Sequence, residues 1–315
     1  MDTKPSKRKN PISFLKEIAN GFAIGIAFII PGFSGGSVAA ILGIYERLIN
    51  AIANIFKPFK NSLATLLPIF IGMAAGIIAL LFPIEASLAA FPFPTVSLFV
   101  GLAIGGLPTI LDKMRGKPQA PHFISLALAL ISALSLSFLP VGNDVDLFGL
   151  NFGGYFLVFL IGIVGSAALV VPGISGSMLL LIFGYYNPIV NLATDHLLKG
   201  QNIGVCFSVF FAAGLGIAVG FISISVIMKR LLISCPRGTY FAILGFIIGS
   251  LPTVYISTAK DAKMTIENFN LPVGQIIASI LLLAVGIAIS LLLVSYAKRS
   301  ESRSNEDGQG ESRDI

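Results

Sequence analysis

Six long stretches of this chain carry no charged side chain. They are residues 62–82, 95–111, 123–139, 205–228, 239–257 and 272–297. About 20 apolar residues in a helix cross the hydrocarbon core of a membrane, and a segment that crosses must satisfy its backbone hydrogen bonds internally. Charged residues make up 11% of the chain, against about 25% in soluble domains. The sequence therefore predicts an all-α, polytopic membrane protein.

A short motif occurs twice in the chain. Pro-Gly-Phe-Ser-Gly at residues 31–35 returns as Pro-Gly-Ile-Ser-Gly at residues 172–176, and the register then holds without a gap as far as Asn191. A second motif, Gly-x-x-x-Gly followed shortly by Leu-Pro-Thr, begins at Gly101 and again at Gly245. Internal repeats in membrane transporters build a substrate site where the two halves meet. Two copies of one structural unit are therefore predicted.

The charges in the loops predict the topology. Lysine and arginine mark one set of connections: the N-terminus, residues 57–60, 113–117 and 229–237, and the C-terminal tail. The other connections carry few or none, and residues 83–94 and 140–153 carry none. Basic loops stay on the cytoplasmic side of a membrane, so both termini are predicted to be cytoplasmic.

This assignment also orients the two halves. Each half is a helical hairpin, at residues 14–55 and 154–194, followed by three crossings. Three is an odd number, so the second repeat is predicted to be inverted relative to the first. The predicted divisions are a basic N-terminus at 1–13, repeat 1 at 14–140, inverted repeat 2 at 154–297 and a disordered polar tail at 298–315.

The hairpins admit two interpretations. The apolar run before Pro31 is Ile18 to Ile30, and these thirteen residues give about 20 Å of helix. Since this is too short to cross, we favour re-entrant hairpins whose tips meet near the midplane of the bilayer. Two full crossings in each hairpin would preserve the same sidedness and stay open as the alternative.

The repeated motif has the chemistry of an anion site. Proline ends the incoming helix, glycine permits a tight turn and close approach, and serine is a favoured cap for the outgoing helix. Free amide groups and the helix dipole at such a break attract an anion, plausibly a phosphate. The candidate phosphate ligands are Ser34, Gly35, Gly36, Ser37, Ser175, Gly176 and Ser177. The candidate turn residues are Pro31, Gly32, Pro172 and Gly173.

Other features favour structural interpretations. Glycines spaced four apart let helices pack closely, and this is the favoured role for Gly72/Gly76, Gly101/Gly105, Gly216/Gly220 and Gly245/Gly249. The two histidines and two cysteines are interpreted as interfacial and structural residues. No zinc spacing, Walker loop or dinucleotide fingerprint is present in the sequence. We therefore expect no cofactor, no metal and no nucleic acid partner.

Glu46 and Arg47 follow the first tip by about three helical turns. Ionisable residues within membrane segments are functional candidates, so Glu46 is a candidate for ion coupling and Arg47 for binding phosphate. Glu46 lies twelve residues beyond Ser34, or about 18 Å along a helix. That distance reaches the cytoplasmic headgroups, so an interfacial ion pair is an equally favoured role for the two residues.

These residues resemble a known family. Pro31-Gly-Phe-Ser-Gly-Gly-Ser with Gly43-Ile-Tyr-Glu-Arg, and Pro172-Gly-Ile-Ser-Gly-Ser with Gly184-Tyr-Tyr, are similar to polyprenyl-phosphate translocases of the PopT type. These are bacterial membrane proteins formerly catalogued as a domain of unknown function, and the resemblance covers residues 14–297. One departure is Asn187-Pro188, where an acidic residue is expected.

The resemblance implies a function. Undecaprenyl phosphate would return from the outer to the cytoplasmic leaflet of the bacterial inner membrane, as the carrier lipid of cell-envelope synthesis is recycled. Its phosphate would bind between the tips and its tail would stay in the bilayer, with a proton or sodium ion as candidate coupling ion. No bond is made or broken, so the protein would not be an enzyme. An ion-coupled transporter or channel for a small soluble anion stays open as the alternative, and a lipid-phosphate phosphatase is disfavoured because the apolar segments hold no His/Asp/Arg constellation.

Overall fold

The chain folds into helices arranged in the same order in both halves. A computed structural model describes residues 11–29, 34–57, 59–136, 138–140, 142–174, 176–261 and 271–310. The first half contains α1 (Pro11–Ile29), α2 (Gly35–Ile41), α3 (Tyr45–Ala53), α4 (Phe59–Ala90), α5 (Pro92–Lys113) and α6 (Ala120–Leu136). The second contains α7 (Phe152–Val170), α8 (Gly176–Ile182), α9 (Tyr186–Asn191), a π-helical turn (Leu192–Leu197), α10 (Ile203–Ser234), α11 (Pro236–Asp261) and α12 (Val273–Gly310).

The fold confirms an all-α, polytopic membrane protein. Six helices in the described part of the chain are long and apolar enough to cross a membrane, namely α4, α5, α7, α10, α11 and α12. The helix α6 is apolar but shorter, with 17 residues. Each predicted uncharged stretch overlaps one of the long helices or α6, although the stretch 123–139 extends past the end of α6 at Leu136.

A glycine breaks the returning arm of each hairpin into two short helices. Gly43 separates α2 from α3 with a φ of +72°, and Gly184 separates α8 from α9 with a φ of +74°. In both arms, the amide after the glycine donates to a carbonyl five residues earlier: Ile44 to Ala39, and Tyr185 to Leu180. This is the Schellman motif at the C-terminus of a helix. It needs one residue with a left-handed backbone conformation, which only glycine adopts at little cost.

Glycines also bring four pairs of helices into close contact. The pairs are α1 with α4, α7 with α10, α5 with α12, and α6 with α11. On α5, a Cβ added to Gly101 would lie 2.2 Å from the carbonyl oxygen of Leu283. The glycines of the other predicted pairs likewise face the backbone of a partner helix. The packing role predicted for these glycines is confirmed.

Two of these helix pairs join the two halves in a reciprocal way. The fifth helix of the first half, α5, packs on the sixth helix of the second, α12. The sixth helix of the first half, α6, packs on the fifth of the second, α11. Such reciprocity is typical of repeats related by a two-fold axis. The inverted orientation of the halves stays a prediction.

The structure differs from the sequence prediction at several helix ends. The helix α1 begins at Pro11 rather than near Ile18, and its 19 residues give about 28 Å, nearly the thickness of the hydrocarbon core. The helix α7 has the same length and is apolar enough to cross. Both helices are therefore longer than the thirteen-residue run that favoured re-entrant hairpins. Whether the hairpins cross the membrane or re-enter on the same side stays a prediction.

The helix α4 runs through a connection expected to be a loop. It includes Pro83 and ends at Ala90, so Phe91 alone separates it from α5. Proline ends helices in water, whereas in a bilayer the backbone has no solvent to bond, so a membrane helix continues past it. At the other end of the chain, α12 continues to Gly310, into the tail for which disorder is predicted.

Candidate phosphate-binding site

The two repeated tips contact each other. The start of α2 packs against the end of α7, where a Cβ on Gly36 would lie 3.2 Å from the carbonyl oxygen of Val170. Ser34 is buried in this contact. The predicted meeting of the tips is therefore found for the described residues. Ile30 to Phe33 and Ser175 lie outside them, as does the side chain of Ser177, so the predictions for Pro31, Gly32 and these two serines stay predictions.

Hydroxyl groups of the first half close the end of α7. Ser34 Oγ donates to the carbonyl of Ala168 at 3.2 Å and lies 3.5 Å from that of Val171. Tyr45 donates from its hydroxyl to the carbonyl of Val170 at 2.9 Å. The last carbonyls of a helix have no partner within it, and Pro172 prevents α7 from continuing. These two side chains supply the missing donors.

Ser34 therefore plays a different structural role from the one predicted. It is the N-cap residue of α2, but its side chain makes no capping hydrogen bond there. A hydroxyl has one proton, which in this conformation is directed at a carbonyl of the other tip. The predicted role of Ser34 in binding phosphate stays a prediction.

Ser37 has a free hydroxyl at the first tip. It is 2% exposed and its Oγ has no hydrogen-bond partner. One turn later on α2, Ile41 packs against Gly106 of α5, and helical spacing puts Ser37 on the same face. Buried polar atoms without partners are rare in native structures. In the described residues the others are Asn20 Nδ2 and Ser225 Oγ.

The second tip packs against α11. Pro172 and Gly173 are buried, and Gly173 has a φ of +84°. A Cβ on Gly173 would lie 2.5 Å from the carbonyl oxygen of Phe246. This residue is therefore required to be glycine both by its backbone conformation and by the approach of α11. Gly176 begins α8 and is partly exposed.

Glu46 joins three helices beyond the first tip. It lies in the first turn of α3, where the helix dipole stabilises a negative charge. Tyr240 of α11 donates its hydroxyl to Glu46 Oε1, and Lys113 Nζ of α5 lies 3.3 Å from the same oxygen. Glu46 thus takes part in an ion pair with Lys113, while its predicted position at the membrane interface stays a prediction. A coupling role stays a prediction.

Arg47 is paired away from the serines of the tips. Its Nη2 lies 2.7 Å from Glu17 Oε2 of α1, whose side chain is nearly buried. The charge of Arg47 is therefore already neutralised in this conformation. The predicted role of Arg47 in binding phosphate stays a prediction, and it requires this pair to open.

In the second half a carboxylate comes from a different segment. Asn187 occupies the position equivalent to Glu46, and its Nδ2 donates to Asp144 Oδ1 at 3.1 Å. Asp144 precedes α7 in an irregular segment that bonds the short helices through Gly142 and Val145. No pattern in the sequence was a signal for the partners Lys113, Tyr240 and Asp144. For Tyr45, the repeat register with Tyr186 was such a signal.

No group of three His, Cys, Asp or Glu side chains that could hold a metal ion occurs within the described ranges. His122 stacks on Phe241 and His196 packs edge-on against Phe148. Both contacts are consistent with the structural role predicted for the histidines.

Known proteins are similar to this chain over two thirds or more of its length. Residues 24–271, which include both tips, match the model of a family described as undecaprenyl phosphate translocase-like. A polyprenyl-phosphate transporter from Staphylococcus aureus (strain NCTC 8325 / PS 47) is 30% identical over 211 residues, which cover 66% of this chain and 70% of that protein. No solved structure matches the chain. Because the family match spans both tips and most of the helices, the chain belongs to the undecaprenyl phosphate translocase-like family.

Proposed function

We propose that this protein moves undecaprenyl phosphate from the outer to the cytoplasmic leaflet of the bacterial inner membrane. The observation that carries the proposal is the family match over both repeated tips. The name of the Staphylococcus aureus relative agrees with a polyprenyl phosphate as cargo. Translocation makes and breaks no bond, so the protein acts as a transporter rather than an enzyme.

The lipid phosphate binds between the tips in this proposal. The free hydroxyl of Ser37 and the backbone amides of Gly35 and Gly36, at the start of α2, supply donors on the first tip. Ser175, Gly176 and Ser177 are the corresponding candidates on the second. Separation of the tips releases Ser34 from Ala168 and adds a further donor. A buried phosphate needs such donors, because leaving an anion unpaired in an apolar environment is very costly.

The prenyl tail stays in the bilayer beside the protein. A lateral cavity of about 440 Å³ lies between α5, α11 and α12, and apolar side chains such as Phe93, Ile280 and Leu283 line most of it. Ser97 and Tyr255 face it with a hydrogen-bonded pair of hydroxyls at 2.9 Å. A surface of this kind is compatible with an isoprenoid chain and supports a lipid cargo. The halves then expose the phosphate to each face in turn.

The test compares undecaprenyl phosphate with inorganic phosphate. Purified protein in nanodiscs is mixed with each ligand and examined by native mass spectrometry. We expect selective retention of undecaprenyl phosphate, and weaker retention by the double variant S34A/S175A. The matched control is S132A, which removes an exposed serine on α6 whose hydroxyl bonds within its own helix. Retention of inorganic phosphate without preference for the prenyl lipid would contradict the proposal and indicate a transporter of small anions.

A further inference from the structure

The equivalent arms of the two halves are packed differently. In the first half, α2 contacts α7 and α3 contacts α10, so both short helices pack on the opposite half. In the second half, the extensive contacts of α8 and α9 are with α7, with each other and with the π-helical turn. Among the described residues, neither α8 nor α9 has a comparably extensive contact with the first half.

Burial follows the same asymmetry. The helix α3 buries Tyr45, Ile49, Ala51 and Ile52, whereas of the equivalent residues 186–194 only Leu192, in the π-helical turn, is buried. In the preceding short helix, Ile41 is 8% exposed, while its repeat equivalent Ile182 is only partly buried. The same structural unit is thus packed on the opposite half in the first copy, α2–α3 (the clamped arm), and is not packed there to a comparable extent in the second copy, α8–α9 (the loose arm).

Polar contacts hold the clamped arm to several helices. Glu46 accepts a hydrogen bond from Tyr240 and pairs with Lys113. Near the end of α3, Lys229 Nζ of α10 donates to Asn54 Oδ1 at 2.9 Å. In the second half, the corresponding Asn187 bonds Asp144, which belongs to the same half. In the part of the chain that the structure describes, the polar contacts that cross between the halves through Tyr240 and Lys229 therefore hold α3, and no such bond holds α9.

The loop charges assign the clamped arm to one face of the membrane. The helix α3 is followed by Lys57 and Lys60, and its partners Lys113 and Lys229 border the other basic connections. Basic connections are cytoplasmic by the positive-inside rule. The clamped arm is therefore on the cytoplasmic side, and the loose arm, in a half with the opposite predicted orientation, is on the outer side.

We propose that α2 and α3 form the cytoplasmic gate of the transporter, shut in this structure by Glu46, Tyr240 and Lys113 and by the Asn54–Lys229 bond. This inference rests on the proposed function and specifies how it is controlled. With the gate shut and α8–α9 unclamped, the structure is the state that receives the lipid phosphate from the outer leaflet. Opening toward the cytoplasm requires these bonds to break and the second arm to take over the packing that the first arm has now.

A reversible cross-link tests the gate. Asn54 and Lys229 are replaced by cysteine in protein whose exposed Cys235 is changed to serine. The lysine side chain separates the backbones at positions 54 and 229 by more than a direct disulfide can span. The two cysteines are therefore joined by a short, reducible bis-methanethiosulfonate reagent. In proteoliposomes we expect cross-linking to reduce undecaprenyl phosphate transport to the level of protein-free vesicles, and reductant to restore it. Binding of the lipid by the cross-linked protein should persist, because the outer side stays open.

The control cross-link joins D195C to K199C in the same background. This pair lies on one exposed segment outside both arms and should leave transport unchanged. Transport by the cross-linked gate pair at the uncross-linked rate would overturn the gate, as would loss of lipid binding together with transport or an equal loss with the control pair. If the reduced, uncross-linked proteins and the wild type fail to move undecaprenyl phosphate, the proposed function fails instead.

Discussion

At the scale of single residues, Ser34 and Ser37 lie at the same tip but differ in their hydrogen bonds. Ser34 donates to the carbonyl of Ala168 in the other half, whereas buried Ser37 has no partner. A buried group that loses its partner costs about 1–3 kcal/mol, so we expect S34A to lower the free energy of unfolding by about this amount. We expect S37A to leave stability unchanged or slightly higher, and to weaken binding of undecaprenyl phosphate.

Thermal unfolding in detergent and native mass spectrometry together distinguish these two serines. Weaker lipid binding by S37A without a lower Tm would identify its hydroxyl as a ligand group. An equal loss of Tm in both variants would show that Ser37 has a partner within the protein. Unchanged binding by folded S37A would remove Ser37 from the site.

Glu46 gives a prediction on the rate of transport. It faces Lys113 from α5 and Tyr240 from α11, with Arg47 beside it on α3. Replacing Glu46 by glutamine removes the charge that pairs with Lys113, and the weakened gate then opens more readily. We therefore expect E46Q to transport undecaprenyl phosphate faster than the wild type.

The measurement is the initial rate of transport into proteoliposomes. D195N is the matched control, because Asp195 is an exposed carboxylate paired with Lys199 outside the gate. This control should keep the rate of the wild type. An E46Q rate no higher than that of the wild type would show that the Glu46–Lys113 pair does not hold the gate shut.

The sequence identified the tip residues but not their partners. Proline, glycine and serine in a repeated pattern have local consequences, so a helix break at each tip could be predicted. Lys113 and Tyr240 lie 67 and 194 positions from Glu46, and no periodicity connects residues so far apart. The bonds of Ser34 failed to follow the local rule for a cap, because open carbonyls on α7 compete for its single proton.

At the scale of helices, the glycine contacts predict where a methyl group can be added. A Cβ on Gly101 of α5 would lie 2.2 Å from the carbonyl oxygen of Leu283, which is too close without separating α5 from α12. Gly214 of α10 has no atom within 4 Å of such a Cβ. We expect G101A to lower Tm strongly, whereas G214A should be neutral or stabilising, since alanine exceeds glycine in helix propensity by about 1 kcal/mol.

Thermal unfolding of both variants in the same detergent makes this comparison. The two substitutions add the same atom to membrane helices, so propensity and composition are matched. Equal values of Tm would show that the close contact between α5 and α12 is not required for stability.

Helix positions could be predicted better than helix ends. Every uncharged stretch overlaps a long helix or α6, because the bilayer leaves helix as the only conformation for such a segment. Pro83 was interpreted as the start of a connection, and the charged residues Lys16 and Glu17 as lying outside the apolar run that begins at Ile18. The structure continues helices through all three. Glu17 is accommodated there because Arg47 neutralises it.

At the scale of the whole molecule, the two halves share an order of helices but differ in packing. The pairs α5–α12 and α6–α11 hold the halves together symmetrically. The arm α2–α3 packs on the opposite half, whereas the extensive contacts of the arm α8–α9 are within its own half. The repeat could be predicted from the sequence. The asymmetry could not, because both copies contain the same motif and the difference is one of conformation. Two similar units in unequal environments can exchange those environments, which is what alternating access requires.

This exchange predicts the accessibility of one pair of equivalent positions. Ile41 in α2 and Ile182 in α8 are matched by the repeat, and each is replaced by cysteine in protein that carries C235S. A membrane-impermeant maleimide should label I182C from outside and leave I41C unlabelled from the cytoplasm, because Ile41 is packed against Gly106 behind the shut gate.

Adding E46Q to both variants should reverse the preference. With the Lys113 pair removed, the cytoplasmic gate opens more often, so labelling of I41C from the cytoplasm should increase and labelling of I182C from outside should fall. If E46Q only loosened the structure around α3, labelling of I41C would increase while labelling of I182C stayed unchanged. That outcome would separate the two arms and contradict their exchange, whereas opposite changes in the two rates would show that opening one arm clamps the other.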